Sequence, residues 1–198
     1  MNTQSHAILT CALLRLCGGK RLARLPHINL VLCLGALTPD LPIYLFFIWG
    51  SLIARIPQQR LWNEVYFHPG WTALVGAFHS FPLWTLGLAL CWKLKKPRAA
   101  LFCAAALLGA AEDFFLHHND AHMHFWPLSR WRFISPISYW NPAYHGIPAA
   151  LAEIVVVTLA GIWLWPRLAS RWGKGLLALA MLSLIANHGL WVMVFRLF

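Results

Sequence analysis

Residues 28 to 53 read INLVLCLGALTPDLPIYLFFIWGSLI. Roughly 20 apolar residues suffice to cross a hydrocarbon core of about 30 Å, so the run is long enough to span a membrane. At its middle, however, Pro39 and Pro42 flank a carboxylate, Asp40. Proline removes a backbone donor and interrupts a helix, and a charge in hydrocarbon costs at least about 3 kcal/mol unless it is paired or bound to a cation. The stretch predicts a broken membrane helix built around Asp40.

The rest of the chain repeats the apolar theme. Of its 198 residues 60% are hydrophobic and 11% charged, with a mean hydropathy of +0.60, which is far from the balance of a soluble domain. Further spans are expected near Trp71 to Trp92, Ala99 to Leu116, Ile147 to Trp165 and Gly175 to Leu197, with a shorter apolar segment, Ala7 to Cys17, in front. The N-terminus is expected to be mature structure, because its basic residues Arg15, Lys20, Arg21 and Arg24 follow the apolar run and do not precede it. No repeat, low-complexity tract or long linker divides the chain. The expectation is a single all-α domain over residues 1–198, a polytopic membrane helical bundle of about five long spans plus a short N-terminal helix and an ordered cap.

A net charge of +10 raises nucleic acid as a partner, and the placement of the charges answers it. Eleven of the sixteen basic residues fall in three places: Arg15 to Arg24, Lys93 to Arg98, and Arg167 to Lys174. Arg55, Arg60, Arg130, Arg132 and Arg196 fall on the other side. The positive-inside rule makes the eleven-residue side cytoplasmic. No basic stripe interleaved with aromatics is present, so nucleic acid is not expected as a partner. The five cysteines lie in apolar segments without a CxxC pair and read as small core residues.

Between the third and fourth spans runs HHNDAHMHFWPLSRWRFISPISYWNPAYHG, residues 117 to 146, too polar for lipid and broken by Pro127, Pro136 and Pro142. Its tryptophans suit an interface, so the segment is expected to be an extracytoplasmic cap with short helical pieces.

Four of the six acids, Asp40, Glu112, Asp113 and Glu153, lie in or at the edge of apolar spans, and His79 sits about two turns into the second span. Asp113 and His117 are four residues apart and share a helical face, as do His118 and His122 if the helix continues. Imidazole and carboxylate without thiolate suit a divalent ion, Zn²⁺ first, with Mn²⁺ and Fe²⁺ open. The same acids and histidines also fit a metal or proton transporter, and a third reading is an assembly subunit with a structural metal. Plainer readings apply elsewhere: His188 as a hydrogen-bonded core residue, Glu64 with Arg60 as a solvated pair, and His145 as either ligand or turn residue.

Ser5-His6, Pro39-Asp40, His79-Ser80, the segment Asp113 to His122 and the late Glu153 together resemble the inner-membrane metal-dependent hydrolases, distant relatives of zinc-dependent phospholipase C and single-strand-specific zinc nucleases. The most specific part is HHNDAHMHFWPLSRWRFISPISYW, which is similar to the HHDDAH…FWPLS.WRF.SP.SYW signature of an uncharacterised branch. The resemblance implies His6, Asp40, His79, Asp113, His117 or His118, His122 and Glu153 as metal ligands, and activated water as the attacking group. Asp120 or His118 would then handle protons, and Arg130 and Arg132 would hold an anionic head group. Two positions depart from the pattern: Asn119 replaces an aspartate, and Ala110 and Glu112 stand where a further histidine is expected. The implied substrate is lipid-linked or amphiphilic, in the plasma (inner) membrane, with the site facing outward. For His6 to reach that site, Ala7 to Leu16 must descend from the extracytoplasmic side.

The charge pattern yields a direct test. In a background without native cysteines, Lys95→Cys should react with impermeant thiol reagents only from the cytoplasmic side, and Arg130→Cys only from the opposite side.

Overall fold

The computed structural model describes residues 1–23 and 25–196; Arg24, counted above among the cytoplasmic charges, and Leu197 lie outside them. Among the described residues the regular structure is entirely helical. The helices are α1 (Thr3–Ala23), α2 (Ile28–Leu37), α3 (Leu41–Ile48), α4 (Gln58–Asn63), α5 (Pro69–Phe78), α6 (Phe81–Lys93), α7 (Pro97–Phe114), α8 (Gly146–Leu164) and α9 (Arg171–Arg196). A π-turn, Trp49–Ile53, extends α3.

Local chemistry explains the breaks. Helix α2 ends at Thr38, whose amide bonds back to Gly35 O, and Pro42 sits in the first turn of α3, so the two halves meet at 61° with Asp40 in the elbow. A second break falls at His79-Ser80, where Ser80 accepts from the Leu83 amide at 3.1 Å and Pro82 occupies the first turn of α6. Helix α1 is longer than expected, 21 residues, with its break at Gly19, whose φ of 51° is left-handed.

Among the described residues two segments are long and apolar enough to cross a membrane, the successive helices α5 and α6 taken together (Pro69–Lys93) and Gly146–Arg167, or three with the bent pair α2–α3. The expected count of about five is thus not reached. Helix α7 is only 18 residues long and carries Arg98, Glu112 and Asp113, and the expected fifth span runs beyond the described residues. Helix α7 is instead the packing centre. Its buried face, Ala105, Ala106, Gly109 and Ala110, is nearly free of side-chain bulk and lets α2 and α6 approach closely. A Cβ on Gly35 would meet Phe102 O at 2.5 Å, and one on Gly109 would meet Ala36 O at 2.9 Å. One apolar core joins Ile8, Leu32, Ala105, Val157 and Leu184; a smaller one gathers Phe46, Leu61, Tyr66 and Val75. The outer face of α8, with Leu151, Val155, Leu159 and Ile162, is exposed.

The 117–146 segment is ordered by backbone pairing more than by helix. Its only helical piece is the 3-10 turn Pro142–Tyr144, shorter than the cap helices expected. The Ser135 amide donates to His117 O (3.1 Å) and the Tyr139 amide to Leu116 O (2.9 Å), folding the segment over the end of α7. The Phe81 amide donates to His124 O (2.8 Å), tying it to α6.

Because the α2–α7 contact has no room for a side chain, Gly35→Leu should destabilise the protein by about 1–3 kcal/mol. Gly175→Leu, at a position with no atom within 4 Å of an added Cβ, should leave the thermal midpoint in detergent nearly unchanged.

Candidate metal centre

The helix breaks converge on one spot. The elbow of α2–α3 brings Asp40, the break between α5 and α6 brings His79, the end of α7 brings Asp113, and the first turns of α1 bring His6; all four are at most 5% exposed. Helix α7 stops at Phe114, so His122 does not continue its face as the i, i+4 reading expected; the chain turns back and delivers His122 from the cap. Two groups of three result, His79–Asp113–His122 and His6–Asp40–Asp113, within each of which the ligand atoms lie within 4.8 Å of one another. Asp113 belongs to both. Its Oδ1 lies 3.2 Å from His6 Nε2 and 3.2 Å from His117 Nε2, and its Oδ2 lies 3.4 Å from His79 Nε2. The Met1 nitrogen also reaches Oδ1, at 2.5 Å.

The unused hydrogen-bonding capacity fits an ion. Nε2 of His6, His79 and His122 are buried without an aligned hydrogen-bond partner, a costly state for polar nitrogens that a bound cation removes. The opposite nitrogens of His79 and His6 are already committed. His79 Nδ1 lies 3.0 Å from Val75 O, which as an acceptor leaves Nε2 unprotonated. His6 Nδ1 lies 2.7 Å from Glu112 Oε2, and Glu112 Oε1 accepts from Thr10 Oγ1 at 3.3 Å. Glu112 thus orients a ligand imidazole, in the place where the resemblance called for another histidine. Asp40 is steadied by Thr3, whose hydroxyl donates to Oδ2, while Tyr44 donates to Thr3 Oγ1 at 2.9 Å. In the cap, burial and the neighbouring His79 hold His122 well below the ordinary imidazole range and His124 down to about 4. Both rings are therefore neutral, the form that binds metal.

No family model, curated protein or solved structure matches this chain.

The remaining expected residues separate into groups. His117 stands beside the centre, with Nδ1 2.9 Å from Asp120 Oδ2 though not aligned for a hydrogen bond, and Trp140 Nε1 donates to the same oxygen at 3.2 Å. Burial would raise the Asp120 carboxyl, but the facing His117 outweighs it and holds Asp120 below the usual carboxylate range. His118 stands apart: its Nδ1 is bonded to Ser135 O and its ring stacks on Tyr144 with centroids 3.5 Å apart, a fastening of the cap. Glu153 joins neither triad. It accepts from the Asn2 amide at 2.8 Å and lies 3.2 Å from His188 Nε2, so it ties α8 to α1 and α9. Arg130 is exposed, whereas half-buried Arg132 borders a narrow cleft with Tyr66, Asp120 and His122. His145 is an exposed residue in the left-handed turn before α8, and Arg60 with Glu64 is an exposed pair at 3.2 Å.

Sequence reasoning missed Glu112 and Thr3 as supports. Glu112 was legible only as an acid adjoining Asp113 in an apolar helix, since its partner lies 106 residues earlier. Glu112→Gln should weaken metal binding by roughly 10–100-fold in competition with a chelator. His118→Phe, which keeps the ring, should leave that affinity unchanged.

Proposed function

We propose that this protein is a membrane-embedded metal-dependent hydrolase, acting on a phosphoester in a lipid-linked or amphiphilic substrate. The observation that carries the reading is the sharing of one buried carboxylate, Asp113, by two triads, one of which has an open side. The triad His79–Asp113–His122 is buried, with only a narrow cleft beside His122, while Asp40 of the other triad and the adjacent His117 border a cavity of about 530 Å³. Closed coordination suits a structural ion and an open side suits a catalytic one.

A bound divalent ion, most suitably zinc with manganese or iron as alternatives, supplies Lewis acidity toward an ester oxygen and activation of water. The chain's own groups do the rest. Asp113 places its two oxygens toward different imidazoles, Glu112 sets the tautomer of His6, and Thr3 with Tyr44 steadies Asp40. His117, backed by Asp120, is the group placed to take or return a proton at the open side. Arg130 and Arg132 on the cap are offered to lipid phosphate.

The orientation follows from charge. With the lysine and arginine clusters cytoplasmic, the 117–146 segment and the site face the extracytoplasmic half of a plasma (inner) membrane. In this orientation α1 descends from the site toward Arg15, which removes the difficulty that His6 precedes a cytoplasmic basic cluster. Polytopic packing with lipid on the outer faces accounts for the exposed leucines and valines of α8. A transporter needs polar groups in both membrane halves, and the acids of this chain concentrate in one.

Elemental analysis of the purified protein tests the reading. The wild type should hold two divalent ions, His79→Ala and His6→Ala one each, and Asp113→Asn none. A folded wild type that takes up no metal on reloading would overturn it.

A further inference from the structure

The cavity over the open triad has two unlike walls. One is apolar and aromatic, from α3 and α4: Ile43, Tyr44, Phe47 and Trp62. The other is uncharged and polar, from the first turn of α1 and from α9: Asn2, Gln4, Ser183 and Asn187. The polar wall is already organised, since Asn187 Nδ2 donates to Asn2 Oδ1 at 2.6 Å and Asn2 Nδ2 to Glu153 Oε2 at 3.0 Å. Helix α3 packs chiefly on α5, and α9 on α1 and α8, and residues of both α3 and α9 line the cavity between them. Tyr44 and Phe47, 49% and 40% exposed, continue the apolar wall outward. No lysine or arginine lines the cavity among the described residues, and its floor carries Asp40.

We propose that the gap between α3 and α9 is the lateral port and chain-binding groove for an amphiphile carrying a single phosphoester. This deepens the hydrolase reading and rests on it. The phosphate sits at the open triad, the first carbons of the chain lie along Tyr44 and Phe47, and uncharged hydroxyl or amide groups of the head meet Asn2, Gln4 and Asn187. A volume of about 530 Å³ accommodates a head group and a short length of chain, and the remainder stays in lipid. With Asp40 on the floor, no lysine or arginine in the walls and the Met1 nitrogen already held on Asp113, an anionic head is held only when metal is present. A second apolar recess, between α1 and α8, ends on Glu112, which is already engaged with His6, and offers an anion no ligand.

The test compares hexyl phosphate with inorganic phosphate on zinc-loaded protein in nanodiscs, by calorimetry, with bound zinc measured in parallel. Hexyl phosphate should bind at least about tenfold more tightly, the equivalent of two buried methylenes. Ser183→Trp, filling the port, should abolish that preference, whereas Leu159→Trp on the outer face of α8 should keep it, and chelation should abolish binding of both ligands. Equal affinities, or a preference that survives Ser183→Trp, would overturn the port while bound zinc leaves the metal centre standing. Hexyl phosphate binding that survives chelation would overturn the assignment of the head group. A wild type without zinc would remove both readings, since the anion would then face Asp40 unscreened.

Discussion

Asp113 is a carboxylate at 1% exposure in a helix whose other buried residues are alanine, glycine and cysteine. Such a charge is stable only if positive or hydrogen-bonding groups surround it, and the fold brings partners from every side: the Met1 nitrogen and His6 from the start of the chain, His79 from the α5–α6 break, His117 from just beyond α7. The interruptions of α2–α3 and α5–α6 follow from this requirement. A helix passing straight through would direct its side chains past the carboxylate, whereas a helix that ends beside it presents a terminal residue and frees backbone groups for the cap to satisfy. Ser80, at one such break, both caps α6 and donates to Trp126 O.

The close contact of α2 with α7 serves the same end. Asp40 belongs to one helix pair and Asp113 to another, and like charges repel. Only the glycine and alanine face, with Gly35 against Phe102 and Gly109 against Ala36, allows the two backbones to approach and bring both acids to one centre. The repulsion between them is the part of the design that an ion of double positive charge offsets.

Much of this was legible in the sequence for definite reasons. Proline on both sides of Asp40 marked the elbow, and the four-residue spacing of Asp113 and His117 survives in the structure even though the helix ends between them. Apolar runs located the helices but overstated the number of spans, because α7 owes its apolar character largely to alanine and carries Arg98, Glu112 and Asp113 within 18 residues. Partnerships across long separations were not legible. Glu153 looked like a ligand by its depth in an apolar run, yet Asn2 and His188 occupy its oxygens. His118 and His122 looked equivalent, and a turn after Phe114 sends one to the centre and the other against Tyr144.

All members of both triads lie within the first 122 residues, while α8 and α9 supply none. As the chain leaves the ribosome, every residue of the two candidate triads is therefore made before the last two helices. Those helices complete the main apolar core with Val157 and Leu184 and are fastened through Glu153 and His188 to Asn2. The candidate centre is thus synthesised ahead of the helices that fasten it.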